Sequence, residues 1–256
     1  MQQALEIVAA GHSILGAPRD LSQPWGLFVQ KDGLQGWGSL SAGRRETLAR
    51  AVAHGEHDVS VYLPSRVVTV DGWAIERSAR KLQGQLDTVN GIGATGEREA
   101  FQVTQWGDLR RAYGRRILSE AESQGRWQGR FIHAPFQLQF VFPDPRKYGE
   151  KTMVPESGTA TTIDVPSMGN FPAFPEIELV SPPGSYTITS PGGTFTVSGA
   201  TPGAVHVVNL RNGRVYRAGV EMPGVGRGDL WSVPAGRRWR HTLSTPGRIR
   251  IADTFV

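Results

Sequence analysis

The sequence predicts a mainly β protein with two domains and one α-helix in the first of them. Glycine (32) and proline (17) make up nearly a fifth of the 256 residues, and without a collagen period this is typical of short strands joined by tight turns. An apolar stripe with helical spacing is clear in only one place. Between residues 176 and 252 only strand patterns remain, which favours a β-sandwich or jelly roll there.

Composition excludes several classes of protein. No stretch approaches the roughly 20 apolar residues that a membrane-spanning helix needs, and the lack of cysteine excludes disulfides, thiolate metal sites and cysteine nucleophiles. The first residues carry Glu6 and no basic start, so we expect no secretory signal. Lys and Arg (28) exceed Asp and Glu (23), for a net charge of +5. The arginines are spread along the chain, which argues against a dedicated nucleic-acid binder.

Four strands are predicted before the helix. They are Leu5–Val8, Gly26–Gln30, Val59–Leu63 and Val68–Val70. Lys31-Asp32-Gly33 and Asp71-Gly72 predict turns after the second and the fourth strand, and Pro64-Ser65 predicts a bend between the third and the fourth. The segment Ser41–His54 is ambiguous, because its apolar residues have helical spacing in a short basic context.

The helix is predicted from Ser78 to Asn90. Its apolar stripe comprises Ala79, Leu82, Leu86 and Val89. Ser78 is the N-cap candidate, because its hydroxyl can accept a hydrogen bond from an unpaired backbone amide. Asn90-Gly91 supplies residues that tolerate the left-handed conformation at a helix end. Gly84 costs about 1 kcal/mol relative to alanine, so we expect tertiary packing to hold the helix.

Three further strands and a strong breaker follow the helix. The strands are predicted at Phe101–Gln105, Leu109–Leu118 and Phe131–Phe142. Pro143-Asp144-Pro145 then interrupts the pattern, and the residues that follow lose aromatic side chains and gain Thr, Ser, Pro and Gly. We therefore place the boundary after Gly149, which gives domains of residues 1–149 and 150–256.

The second domain is predicted to contain eight strands. They are Glu176–Val180, Tyr186–Thr189, Thr194–Val197, Val205–Leu210, Arg214–Arg217, Asp229–Val233, Trp239–Leu243 and Arg248–Ala252. Asn212-Gly213 is the strongest hairpin signal, because a type I′ turn needs positive φ at both central residues. Pro246-Gly247 predicts a turn between the last two strands.

No motif predicts a catalytic, cofactor or metal site, and we expect no enzyme. His54 and His57 lack the HExxH spacing and lie beside a glycine, so we expect ordinary surface histidines. Gly91–Gly96 has GxGxxG spacing but follows a helix rather than a strand, which leaves no suitable helix N-terminus for a phosphate. The acidic pairs Glu97/Glu99 and Glu120/Glu122 are expected to be solvated carboxylates.

A candidate sugar-binding segment lies in the second domain. His206-Val-Val-Asn209-Leu-Arg211, with Trp231 further along, resembles the strand motif by which galectins hold a sugar. That motif places three polar residues on one strand face, whereas His206 lies three residues from Asn209 and points to the other face. Asn209, Arg211 and Trp231 are the carbohydrate candidates. The alternative is that Asn209–Gly213 forms the end of a hairpin.

Several segments together resemble siphophage distal tail proteins, the minor tail proteins of actinobacteriophage-like tail tips. The most specific segment runs from Phe136 to Gly149 and ends in Pro-Asp-Pro-Arg-Lys-Tyr-Gly. The other segments are Val70-Asp71-Gly72, Ser78–Asn90, Phe101-Gln-Val-Thr-Gln-Trp106-Gly107, Asn170-Phe-Pro-Ala-Phe-Pro175, Asn212-Gly213-Arg-Val-Tyr216 and Leu230-Trp231-Ser-Val-Pro-Ala-Gly236. The resemblance covers nearly the whole chain.

The resemblance implies an N-terminal tail-tube-like β-sandwich with one α-helix and a C-terminal jelly-roll or galectin-like β-sandwich. It also implies strand and loop, rather than helix, over Arg44–His57. In such a protein six copies form a ring in the virion, at the distal end of a non-contractile tail assembled in the host cytoplasm. The ring joins the tail tube protein to the tail-tip hub, or tail-associated protein. The tape measure protein occupies its channel, genomic DNA passes without specific binding, and no membrane insertion is expected.

A ring needs permanent interfaces between copies and no chemistry. We predict that two arginine pairs serve such interfaces, Arg110-Arg111 and Arg115-Arg116. Because arginine binds phosphate strongly, we expect them to face protein neighbours or to be neutralised by Glu or Asp, and not to line an open pore. The alternative function is a carbohydrate-binding module that contacts host-surface glycans.

Overall fold

The computed structural model describes residues 5–18, 24–40, 42–122 and 124–256. It divides into two compact units, Met1–Lys147 and Tyr148–Val256. Within the described residues, strands and loops accompany one helix, which confirms the predicted mainly β class with a single helix.

The first unit has eight strands among its described residues. They are β1 (Glu6–Ala9), β2 (His12–Leu15), β3 (Gly26–Gln35), β4 (Arg66–Glu76), β5 (Glu99–Gln105), β6 (Asp108–Ala121), β7 (Arg126–Gln128) and β8 (Phe131–Phe142), with helix α1 (Ala79–Gly91) between β4 and β5. In β8 every second residue from Ile132 to Phe142 is buried, the period that a strand covering a core requires. The predicted bounds of β8 are confirmed.

Seven of these strands close into a barrel. Pairing runs β1–β5–β6–β8–β4–β3–β2 and returns from β2 to β1. The β2–β3 contact is a short parallel one, in which Leu15 pairs with Phe28. Aromatic rings pack one end of the core, where Trp37 lies 5.5 Å from Phe101 and 6.5 Å from Phe142 between ring centroids. Closure of this kind leaves few free sheet edges.

Helix α1 packs against β4, β6 and β8. Its buried residues are Leu82, Leu86 and Val89. The Ser78 hydroxyl accepts a hydrogen bond from the Lys81 backbone amide at 3.3 Å, so the predicted helix and its N-cap are confirmed. Ala79 is exposed, which shortens the predicted apolar stripe by one residue.

Two turns predicted in the first unit are wrong, because both segments lie inside strands. Lys31-Asp32-Gly33 forms a bulge in β3: the register against β4 shifts between Val29 and Leu34, and Asp32 has a φ of +59°. Asp71-Gly72 lies in the middle of β4, where a Cβ on Gly72 would overlap the Phe136 ring. Glycine inside a strand here marks a close approach rather than a turn.

Residues 42–63, between β3 and β4, form an extended arm. Two isolated antiparallel bridges hold it, Arg44 to Tyr62 and Ala49 to Glu56. Over Arg44–His57 the chain is loop rather than helix, as expected, but the expected strand is reduced to these isolated bridges. The predicted strand Val59–Leu63 is wrong apart from the bridge at Tyr62, because no described strand lies beside its first residues to form a ladder.

The second unit contains two sheets that share their longest strand. Its strands are β9 (Lys147–Val154), β10 (Ala160–Pro166), β11 (Glu176–Leu179), β12 (Tyr186–Ser190), β13 (Gly193–Val197), β14 (His206–Asn209), β15 (Arg214–Arg217), β16 (Val220–Glu221), β17 (Gly226–Gly228) and β18 (Arg238–Phe255). The first half of β18 pairs with β10 and with β12, which continues to β13 and β17. The second half pairs with β11, which continues to β14, β15 and β16.

The predicted turn at Pro246-Gly247 is wrong, because β18 runs through it. Opposite this dipeptide the register of β10 shifts: Thr162 pairs with Thr242, whereas Ala160 pairs with Gly247. Pro246 therefore lies in a bulge, where its missing amide proton breaks no ladder hydrogen bond. The two predicted strands Trp239–Leu243 and Arg248–Ala252 are one bent strand that passes from one sheet to the other.

Two further strand predictions in the second unit differ from the structure. Asp229–Val233 is not a strand, and only its last residue forms a bridge, with Ala173. The hairpin at Asn212-Gly213 exists, but its loop has four residues, because Asn209 pairs with Arg214. Only Gly213 has positive φ, at +72°. The predicted two-residue type I′ turn is therefore wrong.

Candidate functional site

The first arginine pair lies at the start of β6 and has partners within the chain. The Arg110 guanidinium forms an ion pair with Asp108 at 2.6 Å. Arg111 donates from Nε to the Gln102 side-chain oxygen at 3.1 Å. Among the described residues, Arg110 is thus neutralised by a carboxylate, as one of the two expectations required, whereas Arg111 binds a neutral amide.

The second arginine pair binds backbone carbonyls. Arg116 donates from Nη1 to the carbonyl oxygens of Asn90 at 2.6 Å and Ile92 at 2.8 Å, and Arg115 donates to the Gly96 carbonyl. The carbonyls at the end of a helix carry partial negative charge, so a guanidinium there stabilises α1. Arg116 therefore has a role in the fold of the single chain that sequence reasoning missed.

The carbohydrate candidates Asn209 and Arg211 lie at a hairpin end. Residues alternate along β14, so that His206 is buried and Asn209 is turned to the other face, as predicted from the spacing. The Asn209 side-chain oxygen accepts the Arg211 backbone amide at 2.9 Å. The Arg211 guanidinium donates to the Tyr148 hydroxyl at 3.3 Å. Their polar atoms therefore hold the loop in shape.

Trp231 does not join these two residues on the surface. Its side chain is buried, with 4% exposed, and its indole donates to Nε2 of His241 at 3.1 Å. A ring in this position offers no face on which a sugar can stack. The structure therefore separates Trp231 from the surface on which Asn209 and Arg211 lie.

Two buried cations lie together in the first unit without a carboxylate partner among the described residues. Arg66 donates to the carbonyls of Gly36 at 2.7 Å, Trp37 at 3.0 Å and Ser39 at 2.7 Å. Lys147 donates to the Trp37 carbonyl at 2.9 Å. Burial, together with the charges of Arg66 and Arg110, lowers the pKa of Lys147 to about 8.

An aromatic groove lies on the outer face of β4 and β8, and sequence reasoning missed it. Its volume is about 620 Å³, and it is lined by Pro24, Trp73, Ile75, Gln128, Phe131 and His133. Trp73 and His133 meet edge to face, 5.1 Å apart between ring centroids. The strand alternation that buries Ala134 and Phe136 turns their neighbours outward, so a period of two along β4 and β8 could have identified this face.

A second overlooked feature is the turn between β5 and β6. Gln105 pairs with Asp108, which leaves a two-residue turn of Trp106 and Gly107. The Trp106 side chain is 78% exposed. The signal was present in the sequence, because only a short gap separates two predicted strands.

No three His, Asp or Glu side chains among the described residues lie together as a metal site would require, and His54 and His57 are exposed in the arm. In the part of the chain that the structure describes, no helix is long and apolar enough to cross a membrane.

A scan against protein-family profiles and a search of curated protein sequences found no match. Solved structures do match. One is the SPP1 Dit (gp 19.1) protein, described as a paradigm of the hub adsorption apparatus in phages infecting Gram-positive bacteria. It has a TM-score of 0.72 and 15% identity over 98% of this chain and 99% of that chain. A chain of the phage P2 baseplate in its activated conformation with calcium has a TM-score of 0.51 and 9% identity, over 99% of this chain and 98% of that chain.

At these identities the likeness shows the fold. The match to SPP1 Dit extends over nearly all of both chains and therefore includes both units. The expected resemblance to distal tail proteins is confirmed at the level of the fold.

Proposed function

We propose that this chain is a structural protein of a siphophage tail tip. In this proposal six copies form a ring at the distal end of a non-contractile tail and join the tail tube protein to the tail-tip hub. The tape measure protein, and later the genomic DNA, pass through the channel. The role is assembly rather than catalysis.

One observation carries the proposal: the fold of SPP1 Dit is reproduced along nearly the whole chain, with a TM-score of 0.72. A match confined to one sandwich would leave many functions open, because one fold serves many functions. A match that keeps two different units in the same order is far more restrictive.

The surface of the first unit supports a role in assembly. Large apolar side chains are exposed in the arm and at turns, including Leu48 (60%), Val52 (99%) and Trp106 (78%). Such side chains suit protein–protein contacts, whose centres are depleted in charge and enriched in aromatic residues. The arginine pairs at Arg110-Arg111 and Arg115-Arg116 have partners within the chain, which suits a channel through which DNA slides without binding.

Electron cryomicroscopy of intact virions tests the proposal. An affinity tag on the second unit, decorated with an antibody fragment, should label an annulus of six copies directly below the last tube ring. The purified chain should also form a ring of six times the mass of one chain. Label that is absent from the tail tip, or spread along the tube, would contradict the proposed role.

We keep the alternative, a carbohydrate-binding module, as a proposal for the second unit, without Trp231 as a candidate, because Trp231 is buried. If the wild-type chain binds a glycan and the double variant N209A/R211A does not, the carbohydrate-binding function is supported. Binding that is unchanged in this double variant would remove Asn209 and Arg211 from any such site.

A further inference from the structure

Trp106 occupies a turn position that does not suit it. It has a φ of +54° and Gly107 a φ of +79°, which together define the type I′ turn between β5 and β6. Such turns favour Asn-Gly, since a bulky residue at positive φ is strained. The indole is also 78% exposed. The strained backbone lowers the stability of the separate chain, and the exposed ring is accessible to a second molecule.

The aromatic groove on β4 and β8 offers room and ring surfaces for an indole. Its volume of about 620 Å³ exceeds that of one tryptophan side chain. Trp73 and Phe131 offer ring surfaces, and the Gln128 side-chain oxygen can accept the indole N–H. Tryptophan is enriched among the residues that anchor protein interfaces, each seated in a desolvated pocket.

Each of the two sites carries a charged side chain beside an aromatic ring. The guanidinium of Arg77 lies 4.1 Å from the Trp25 ring centroid, and that of Arg130 lies 5.5 Å from the Phe131 ring centroid. Neither arginine forms an ion pair with a carboxylate of the described residues. The turn beside Trp106 carries the half-exposed carboxylate of Asp108, which also pairs with Arg110.

The turn and the groove lie at opposite ends of the same sheet. β6 begins at Asp108 beside the turn, and reaches β8 only at the pair Arg115–Val141. From there the two strands run together to Ala121–Phe136, and Phe131 lies beyond that point. A chain therefore cannot fill its own groove. A contact between two such different surfaces is heterologous, the kind that builds rings.

We propose that Trp106 of one copy docks in the aromatic groove of the next copy, with Asp108 facing Arg130. This inference rests on the proposed ring and identifies a contact between its subunits. It makes an unusual prediction: a substitution can stabilise the single chain and prevent assembly.

The test uses the purified full-length chain, with light scattering for mass, negative-stain imaging for rings and thermal unfolding for stability. Trp106→Asn should melt no lower than wild type, because asparagine suits the type I′ turn. It should also raise the concentration for half-assembly by about tenfold or more. Met168→Gln is the matched control, because Met168 is 76% exposed and lies in the second unit. It should assemble like wild type.

Charge exchange and mixing sharpen the test. Asp108→Arg and Arg130→Glu should each weaken assembly, and the double variant should recover it. A mixture of W106N and F131A should give dimers without closed rings, because each mixed pair keeps one intact turn and one intact groove. If F131A is unfolded, R130E replaces it in the mixture. A wild-type chain that stays monomeric contradicts the proposed ring itself. Rings of W106N that form as readily as those of wild type overturn only this contact.

Discussion

The two units bury basic side chains in opposite ways. The first unit keeps two buried cations, Arg66 and Lys147, surrounded by backbone carbonyls. The second unit buries His206 and His241, both with 0% exposed, and holds both rings neutral. Carbonyl oxygens can stabilise a cation, whereas a ring with a fixed acceptor nitrogen excludes a second proton. The units should therefore respond to pH in different ranges.

The position of the proton on each neutral ring follows from its partners, and for His241 the partners also oppose a second proton. Nε2 of His206 lies 2.9 Å from the Thr201 carbonyl, which can only accept, so Nε2 carries the proton and Nδ1 faces the Tyr186 hydroxyl at 3.2 Å. In His241, Nδ1 faces the Trp239 carbonyl. Its Nε2 accepts from Trp231, whose indole can only donate. A proton on this Nε2 would put two donors face to face.

The largest effect is expected on removal of the cation in the first unit. Arg66→Met leaves the carbonyls of Gly36, Ser39 and Pro145 without the guanidinium that they bind. Buried unpaired carbonyls should cost about 3 kcal/mol of the free energy of unfolding, measured by urea unfolding. Arg50→Met, in the exposed arm, is the control and should change little. A tolerated R66M would show that the cations are not needed to hold this end of the barrel.

The second largest effect is expected in acid, and in the second unit. Burial lowers the pKa of both histidines below the ordinary 6.5. The charge of Arg217 lowers the pKa of His206 further, whereas the charge of Asp164 partly offsets the shift of His241. The unfolded chain therefore binds more protons, and the free energy of unfolding falls as the pH drops below 6.5. Hydrogen exchange should show protection of β12, β14 and β18 lost in acid before that of β4 and β8.

Variants of the two histidines separate their contributions. H241Q should flatten the acid response more than H206Q, because the Tyr186 hydroxyl can turn to accept a proton from a charged His206 and the Trp231 indole cannot. A double variant whose second unit is still acid-sensitive would break the proposed difference between the units.

The alkaline response should belong to the first unit. Lys147 has a pKa of about 8 in the folded chain and 10.5 ordinarily, so the unfolded chain binds more protons between these values. The free energy of unfolding should therefore rise with pH from about 8 to 10.5. Lys147→Met should remove this slope in urea unfolding, and Arg66 still donates to the Trp37 carbonyl in that variant. An equal slope in wild type and K147M would contradict the assignment.

Local patterns predicted the parts of the fold that depend on near neighbours. The spacing of Leu82, Leu86 and Val89 predicted the helix, and an aromatic-rich run that ends before Pro143 predicted β8 with its observed ends. Asp71-Gly72 was misleading because the need for glycine comes from Phe136, which lies across the sheet. Pro246 was misleading for a similar reason. A proline normally interrupts a strand, but here the irregular pairing between β10 and β18 accommodates it, and the sequence near Pro246 does not show this.

The candidate site was predictable to a similar extent. A period of two placed His206 and Asn209 on opposite faces, but nothing near Trp231 in the sequence shows that His241 will cover its indole nitrogen. The arginine partners were also hidden, because Arg116 reaches carbonyls at the end of a helix that lies 24 and 26 residues earlier. The identity of a side chain predicted the type of contact that it makes, but its partner depends on the tertiary structure.

The smallest effect is expected from an exposed ion pair near His241. Arg240 binds Asp164 through two hydrogen bonds of 2.9 and 3.1 Å, and this contact lowers the pKa of Asp164. Both side chains are exposed, and water and salt screen such pairs strongly, so Asp164→Asn should barely change the free energy of unfolding at neutral pH. In acid it should make the second unit slightly less stable, because the Asp164 carboxylate favours protonated His241. Urea unfolding of D164N at pH 7 and pH 5, each at low and high salt, measures both effects. A large loss at neutral pH would mean that surface charge, rather than the buried rings, controls the second unit.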